Sequence, residues 1–282
     1  EILIGLVGSE MCIRDRYIAG QKEPVIDMPT RFVDFMRVLV PMAGDDTTPE
    51  GEQVNIYGNH VGSWNFAATA YLNRWKVKIY YEHYFDDHSQ MFFQYGRWKD
   101  GHIGLEITFP KNRFIDTFVY EGLGTKDQTG PMLYDSFWGK FEEQISAKDN
   151  YYNHYLYQGW QHWGMGIGNP LLPGPIYNKN GQITFISNRV LAHHIGFCGS
   201  PCQSLSYRML LSYSRHWGTY DNPLNEIKKQ FNSLFEVTYA PQQLKGWSFT
   251  VSGAMDRGSI LGNNYGGMLV IRKQGIIKSG NK

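Results

Sequence analysis

The chain has no apolar run approaching the ~18 residues of a transmembrane helix, so α-helical membrane spans are excluded. Charge of one sign is also missing. The 27 Lys and Arg are balanced by 26 Asp and Glu, net +1 with pI about 7.9, and no global field points to nucleic acid. Cysteine is scarce, with three in 282 residues. No G-x-S-x-G elbow, H-E-x-x-H pair or phosphate-cradling G-x-x-x-x-G-K occurs, so the expectation is a non-enzymatic protein without a cofactor. No secretory signal peptide opens the sequence. The mean hydropathy of −0.41 does not exclude a membrane β-barrel, whose lumen-facing residues dilute hydropathy by half.

What the chain has is alternation. Residues 204–217 read S-L-S-Y-R-M-L-L-S-Y-S-R-H-W. The odd positions Leu205, Tyr207, Met209, Leu211 and Tyr213 are apolar or aromatic, and the even positions, Leu210 apart, are polar. A period of 2 held this long predicts a β-strand, and its length exceeds the ~5–6 residues usual in soluble domains. Tilted strands of about 9–11 residues, apolar on one side, suit a bilayer crossing. Residues 230–239 and 247–256 repeat the design, and Val77, Ile79 and Tyr81 alternate with Lys76, Lys78 and Glu82. A soluble sandwich shows the same alternation with its apolar side as core. Aromatic content tips the balance: 15% of the chain, with Tyr71, Trp75, Tyr84, Trp98, Trp217, Tyr239, Trp247 and Tyr265 near strand ends, as in interfacial girdles.

The first sixteen residues, E-I-L-I-G-L-V-G-S-E-M-C-I-R-D-R, resemble a translated sequencing adapter. Residues 1–16 are therefore set aside as a non-native leader, and residues 17–282 read as one unit lacking its upstream part. Strands are expected at 31–42, 53–58, 63–73, 75–84, 91–95, 102–109, 114–122, 183–197, 204–217, 230–239, 246–255 and 265–274. A long loop is expected over about 123–182, with a short helix implied by Phe137, Phe141 and Ile145, and a polar loop at 222–229. The fold class is all-β: an antiparallel up-and-down transmembrane β-barrel, present as an open partial barrel of about eleven or twelve strands.

Within the long loop, residues 151–175 place Gly164, Gly166 and Gly168 two apart, so an extended backbone has one bare face. Beside it Tyr155, Tyr157, Trp160, His162 and Trp163 can stack on sugar rings, with Gln158, Gln161 and Asn169 bonding hydroxyls. Alternatively, the glycines let an inward-folded loop pack tightly. Arg189, Arg208 and Arg215 either line a lumen or mouth, where they meet an anionic glycan, or form charge pairs with Glu236 or Asp256. Cys198 and Cys202, in F-C-G-S-P-C-Q, read as two arms of a hairpin tip and a disulfide candidate, or as metal ligands with one of His193 and His194. Asp86, Asp87 and His88 read as a solvated loop or a weak Ca²⁺ site. Nothing in the spacing brings Asp116 and Glu121 together as a glycosidase pair.

Six segments carry a resemblance. They are Y-G-N-H-V-G-S-W at 57–64, V-K-I-Y-Y-E-H-Y-F-D-D at 77–87, D-G-H-I-G-L-E-I at 100–107, Y-E-G-L-G-T-K-D-Q-T-G-P at 120–131, G-I-G-N-P-L at 166–171 and S-Y-S-R-H-W-G-T-Y at 212–220. Together they resemble the C-terminal portion of the Wzi capsule-assembly family of outer-membrane proteins, over about residues 27–273. The resemblance implies a Gram-negative outer-membrane barrel, monomeric at full length, whose partners are outer-membrane lipid and the capsular polysaccharide it helps anchor. The ending I-I-K-S-G-N-K departs from the aromatic residue usual at the end of such barrels. The alternative functions are a porin or other outer-membrane transporter, and a secreted carbohydrate-active β-protein.

Overall fold

The computed structural model describes residues 9–10, 31–39, 42, 44–47, 59–86, 100–112, 114–128, 132–134, 144–146, 150–153 and 160–275. In chain order the elements are β1 (Ser9–Glu10), α1 (Phe32–Leu39), β2 (Asn59–Leu72), β3 (Trp75–Asp86), β4 (Gly101–Thr108), β5 (Thr117–Gly124), β6 (Met132–Tyr134), β7 (Gln144–Ser146), β8 (Gln161–His162), β9 (Met165–Gly166), β10 (Val190–Cys202), β11 (Leu205–Gly218), β12 (Pro223–Tyr239), β13 (Trp247–Gly258) and β14 (Asn264–Lys273). Ten strands form one antiparallel sheet in the order β1-β2-β3-β4-β5-β10-β11-β12-β13-β14, and β6-β7 and β8-β9 are small separate hairpins. Sequence neighbours pair throughout, except where the long connection of residues 125–189 leaves β5 and returns as β10. The sheet is all-β, up-and-down and open, with β14 pairing only β13.

The sheet is concave. Asn169 donates to the Tyr84 hydroxyl on β3 at 3.5 Å, while Pro170 and Leu171 line a cleft with Ser212 and Ser214 of β11. Those strands lie four steps apart, roughly 19 Å along a flat sheet, yet three consecutive loop residues reach both. One curled surface therefore wraps the inserted segment. The small buried cluster of Leu123, Leu172, Val190 and Ala192 sits on this concave side, where the connection packs down.

Connections differ at the two ends. At one end the connections after β2, β4, β10 and β12 run two to eight residues; β2 and β3 are joined by Asn73 and Arg74 alone, with Asn73 left-handed at φ 58°. The opposite end carries the two longest connections, residues 87–100 and 125–189, beside tight turns at 219–222 and 259–263.

Several expectations need correction. Residues 31–42 were expected as a strand and instead contain α1. Asp34 accepts from Arg31 N at 3.0 Å and Arg31 Nε at 2.9 Å, and Arg37 reaches Asp34 at 3.3 Å and Asp45 at 2.7 Å. These i,i+3 pairs need helical spacing, which a period-2 reading overlooks. The guanidinium groups also hold the Asp34 carboxyl below its usual range. Residues 222–229, expected as a polar loop, form the first part of β12, with Lys228 opposite His216 and Lys229 opposite Arg215. Backbone pairing to β11 overrides their poor strand propensity. β10 begins at Val190, seven residues later than expected, because residues 183–189 belong to the inward-folded connection. Ile145, placed in a short helix by its spacing, lies in β7, and Phe137 and Phe141 lie outside the described residues. Expected strands 53–58 and 91–95 also lie outside the described residues; the sheet counts ten strands among the described residues, one of them β1, which lies in the leader set aside above and pairs with β2.

Candidate glycan-binding face

The ladders assign each paired strand residue a side. On the concave side, successive strands place Tyr80, Gly104, Glu121, His194, Ser212, Asn232 and Asp256 in one row. The row is polar and internally bonded. Tyr80 lies flat across Gly104 and donates to Glu121, His194 meets Ser212 at 2.6 Å, and Asn232 donates to Asp256 at 2.6 Å. One row above, His102 lies 3.5 Å from Glu82 and 3.6 Å from Glu121. Lower on the same side, Lys76 pairs with Glu106 at 3.6 Å and Arg208 with Glu236 at 3.4 Å.

The convex side is the opposite in chemistry. Ile79, Ile103, Val251 and Leu269 project there and are 55%, 55%, 60% and 65% exposed. Phe66, Tyr213, Phe235, Tyr239 and Ile271 extend the same surface, also exposed. No second sheet covers this side among the described residues. Every carboxylate that has a ladder partner in β2–β5 and β10–β14, namely Glu82, Asp86, Glu106, Glu121, Glu236 and Asp256, points inward.

The long connection closes over the concave side at the end bearing the long loops. Asp100, 2% exposed, anchors it by accepting from the amides of Asp127 and Gln128 and from the Tyr151 hydroxyl at 3.1 Å. Burial pushes its carboxyl up to about 6 in spite of those donors. Asn153 and Phe185 bond each other twice at 2.8 Å, and Asn188 donates to the Tyr151 carbonyl at 2.8 Å.

The glycine strip is absorbed by this packing. A Cβ on Gly166 would meet the Phe185 ring at 2.9 Å, one on Gly168 the Tyr152 hydroxyl at 2.6 Å, and one on Gly164 the Ile176 backbone at 3.0 Å. Of the stacking candidates, Trp160 is half-buried and tilted against Tyr152, whereas His162 and Trp163 project outward, Trp163 83% exposed. Tyr157, with Tyr155 and Gln158, lies outside the described residues. The turn at Pro175–Tyr177 and the β13–β14 hairpin bound a cleft of about 570 Å³ whose wall includes Tyr177, Asn178, Asn180 and Lys228. Tyr177 is half-exposed, and the buried Asn178 Oδ1 has no partner, while its Nδ2 donates to Gln182 O and Thr184 O. Sequence reading missed these four. The N-K-N-G run at 178–181 reads only as a turn until the fold sets it opposite β12.

The three arginines do not converge. Arg208 alone faces the concave side, as the charge pair with Glu236 that was one of its two expected roles. Arg189 and Arg215 lie on the convex side, which corrects their placement in a lumen or mouth. The Arg189 guanidinium stands 3.9 Å over Tyr220 and that of Arg215 5.0 Å over Trp217. Cys198 and Cys202 are both free thiols on β10 and do not flank a hairpin tip, because the turn falls after Cys202 and the Gly-Ser-Pro forms a bulged strand end. Four residues of strand hold their Cα atoms roughly 10–13 Å apart, beyond the ~7 Å a disulfide spans. No group of three potential metal ligands occurs among the described residues. Asp86 ends β3, and Asp87 and His88 lie outside the described residues. Asp116 precedes β5 at the short-turn end, while Glu121 is committed to Tyr80 and His102.

An open, antiparallel, up-and-down sheet with a charge-paired concave side and an apolar convex side thus defines the fold class. No family model matches the chain, and no curated protein does. Among solved structures it is similar to Pseudomonas aeruginosa OccK10 (OpdN), at 10% identity and a TM-score of 0.41, over 79% of this chain and 56% of that one. The chain spans little more than half the length of that structure.

Proposed function

We propose that the chain is part of a transmembrane β-barrel of a Gram-negative outer membrane whose long-loop end binds capsular polysaccharide and helps hold it at the cell surface, without catalysis. The observation carrying the membrane half is the convex side: large apolar residues exposed along strands of eight to seventeen residues, with every ladder-paired carboxylate facing the other way. Lipid is the solvent that makes such a surface favourable, and closed sheets are the β-structures that span it. The longer connections then face outward from the cell and the short turns face the periplasm.

The glycan half is supported by the exposed Trp163, the Tyr177 cleft with its amide and ammonium groups, and the six segments resembling capsule-assembly proteins. Rings supply stacking area, and the Asn180 amide and Lys228 ammonium supply partners for the hydroxyls and carboxylates of an anionic chain. The test is glycan binding by the detergent-solubilised protein, probed with purified capsular polysaccharide from an encapsulated Gram-negative bacterium. Trp163→Ala and Tyr177→Ala are expected to weaken binding by about tenfold each, a ~1.4 kcal/mol loss. Equal binding by both variants and the parent removes the glycan reading. A conducting pore in planar bilayers, without glycan binding, establishes the porin alternative instead.

A further inference from the structure

On the concave side Lys76 and Arg208 each have a carboxylate within 4 Å, whereas Lys78, Lys228 and Arg272 stand apart from one another with none among the described residues. On the convex side, at the long-loop rim, Lys126, Arg189, Arg215 and Lys229 have none among the described residues. These four are neighbours. Lys126 Nζ and Arg215 Cζ stand 4.9 and 5.0 Å from the Trp217 ring, within about 10 Å of each other. Arg189 Nε donates to the Lys126 carbonyl at 3.1 Å, and Lys229 is directly opposite Arg215 in the ladder. Arg215 Nε is shielded from water and has no acceptor. Arg257 extends the cluster, one step further down the convex side beside Phe231. The nearby Asp221 carboxylate takes a bond from Asn150, at 3.4 Å.

Unpaired cations on a lipid-facing surface are costly at mid-bilayer and nearly free only near the headgroups. Trp217 and Tyr220 mark that depth, since such rings belong to the interface. A set of guanidinium and ammonium groups there, facing outward with no carboxylate partner among the described residues, matches phosphate on an immobilised headgroup, which Arg binds bidentately. We propose that this rim is a binding site for a phosphorylated glycolipid of the outer leaflet, a lipid A-type headgroup seated on Lys126, Arg189, Arg215 and Lys229, with its acyl chains along the convex face. The inference rests on the membrane reading above and is independent of glycan binding.

Native mass spectrometry of the full chain in detergent tests it, with bisphosphorylated lipid A, its dephosphorylated form and a neutral phospholipid as probes. The expected result is retention of one bisphosphorylated lipid A at affinity at least tenfold above the dephosphorylated form. Lys126→Gln with Arg189→Gln and Arg215→Gln should abolish that preference, and Arg208→Gln should keep it. Replacement by Arg at 126 and Lys at 189 and 215 should retain most of it, which separates lost charge from lost fold. Equal affinity for both forms, an unchanged triple glutamine variant, or full competition by millimolar inorganic phosphate overturns the headgroup site. Failure to retain any lipid, the neutral phospholipid included, overturns the membrane reading itself.

Discussion

Asp100 shows how one side chain sets the state of a whole connection. Its carboxyl, raised to about 6 by burial, gathers two amides and a phenol from residues 127, 128 and 151. In the unfolded chain the same group releases its proton near 3.9. The folded state therefore holds more protons between about pH 4 and 6. Stability falls as pH rises through that window and levels off above it, by up to about 3 kcal/mol. Unfolding midpoints in urea, measured in detergent from pH 4 to 7.5, should show this decline, and Asp100→Asn should flatten it. Gly104 makes a second residue-scale case. Tyr80 crosses the space where its Cβ would sit, so Gly104→Ala must displace the ring from Glu121 at a cost of about 1–3 kcal/mol. Gly122→Ala on the convex side meets only ordinary contacts at 3.5 and 3.7 Å and should be neutral or slightly stabilising, as thermal unfolding of both variants would read.

Elements were legible in proportion to how strictly they alternate. β11 and β13 fall within three residues of expectation, because one side meets a polar interior and the other does not, which forces a period of 2. The first half of β12 was not legible, since Asn225, Glu226, Lys228 and Lys229 rise beyond the apolar band and keep no alternation. Its pairing with β11 is a tertiary fact. The same limit governed the candidate site. Exposed Trp163 was readable from composition, but the side taken by Arg189 and Arg215 depends on register, and the Tyr177 cleft exists only where two distant hairpins meet. The element-scale prediction follows from β13. Val251→Lys, on the apolar band, should cost about 2–4 kcal/mol of folding into bilayers, and Thr250→Lys, one residue away but inward, should cost far less. Folding titrations into phospholipid vesicles compare the two directly.

For the whole molecule, the open sheet leaves β14 with one hydrogen-bonding edge free of any described partner. Such an edge must be paired or covered in lipid, so a full barrel requires further strands or a second chain beside it. The inward connection and the rim cations lie at the same end of the sheet, so the proposed glycan and headgroup sites would share one side of the membrane. Both depend on the convex side meeting acyl chains, and β13 measures that most directly. Single cysteines at 249–256, placed in a chain freed of its three native cysteines and labelled with a fluorophore, report depth in vesicles through lipid-borne and aqueous quenchers. Labels at 249, 251, 253 and 255 should be quenched from the lipid and shielded from water, with 250, 252, 254 and 256 behaving the opposite way. Uniform aqueous quenching, or loss of the two-residue alternation, would contradict the account.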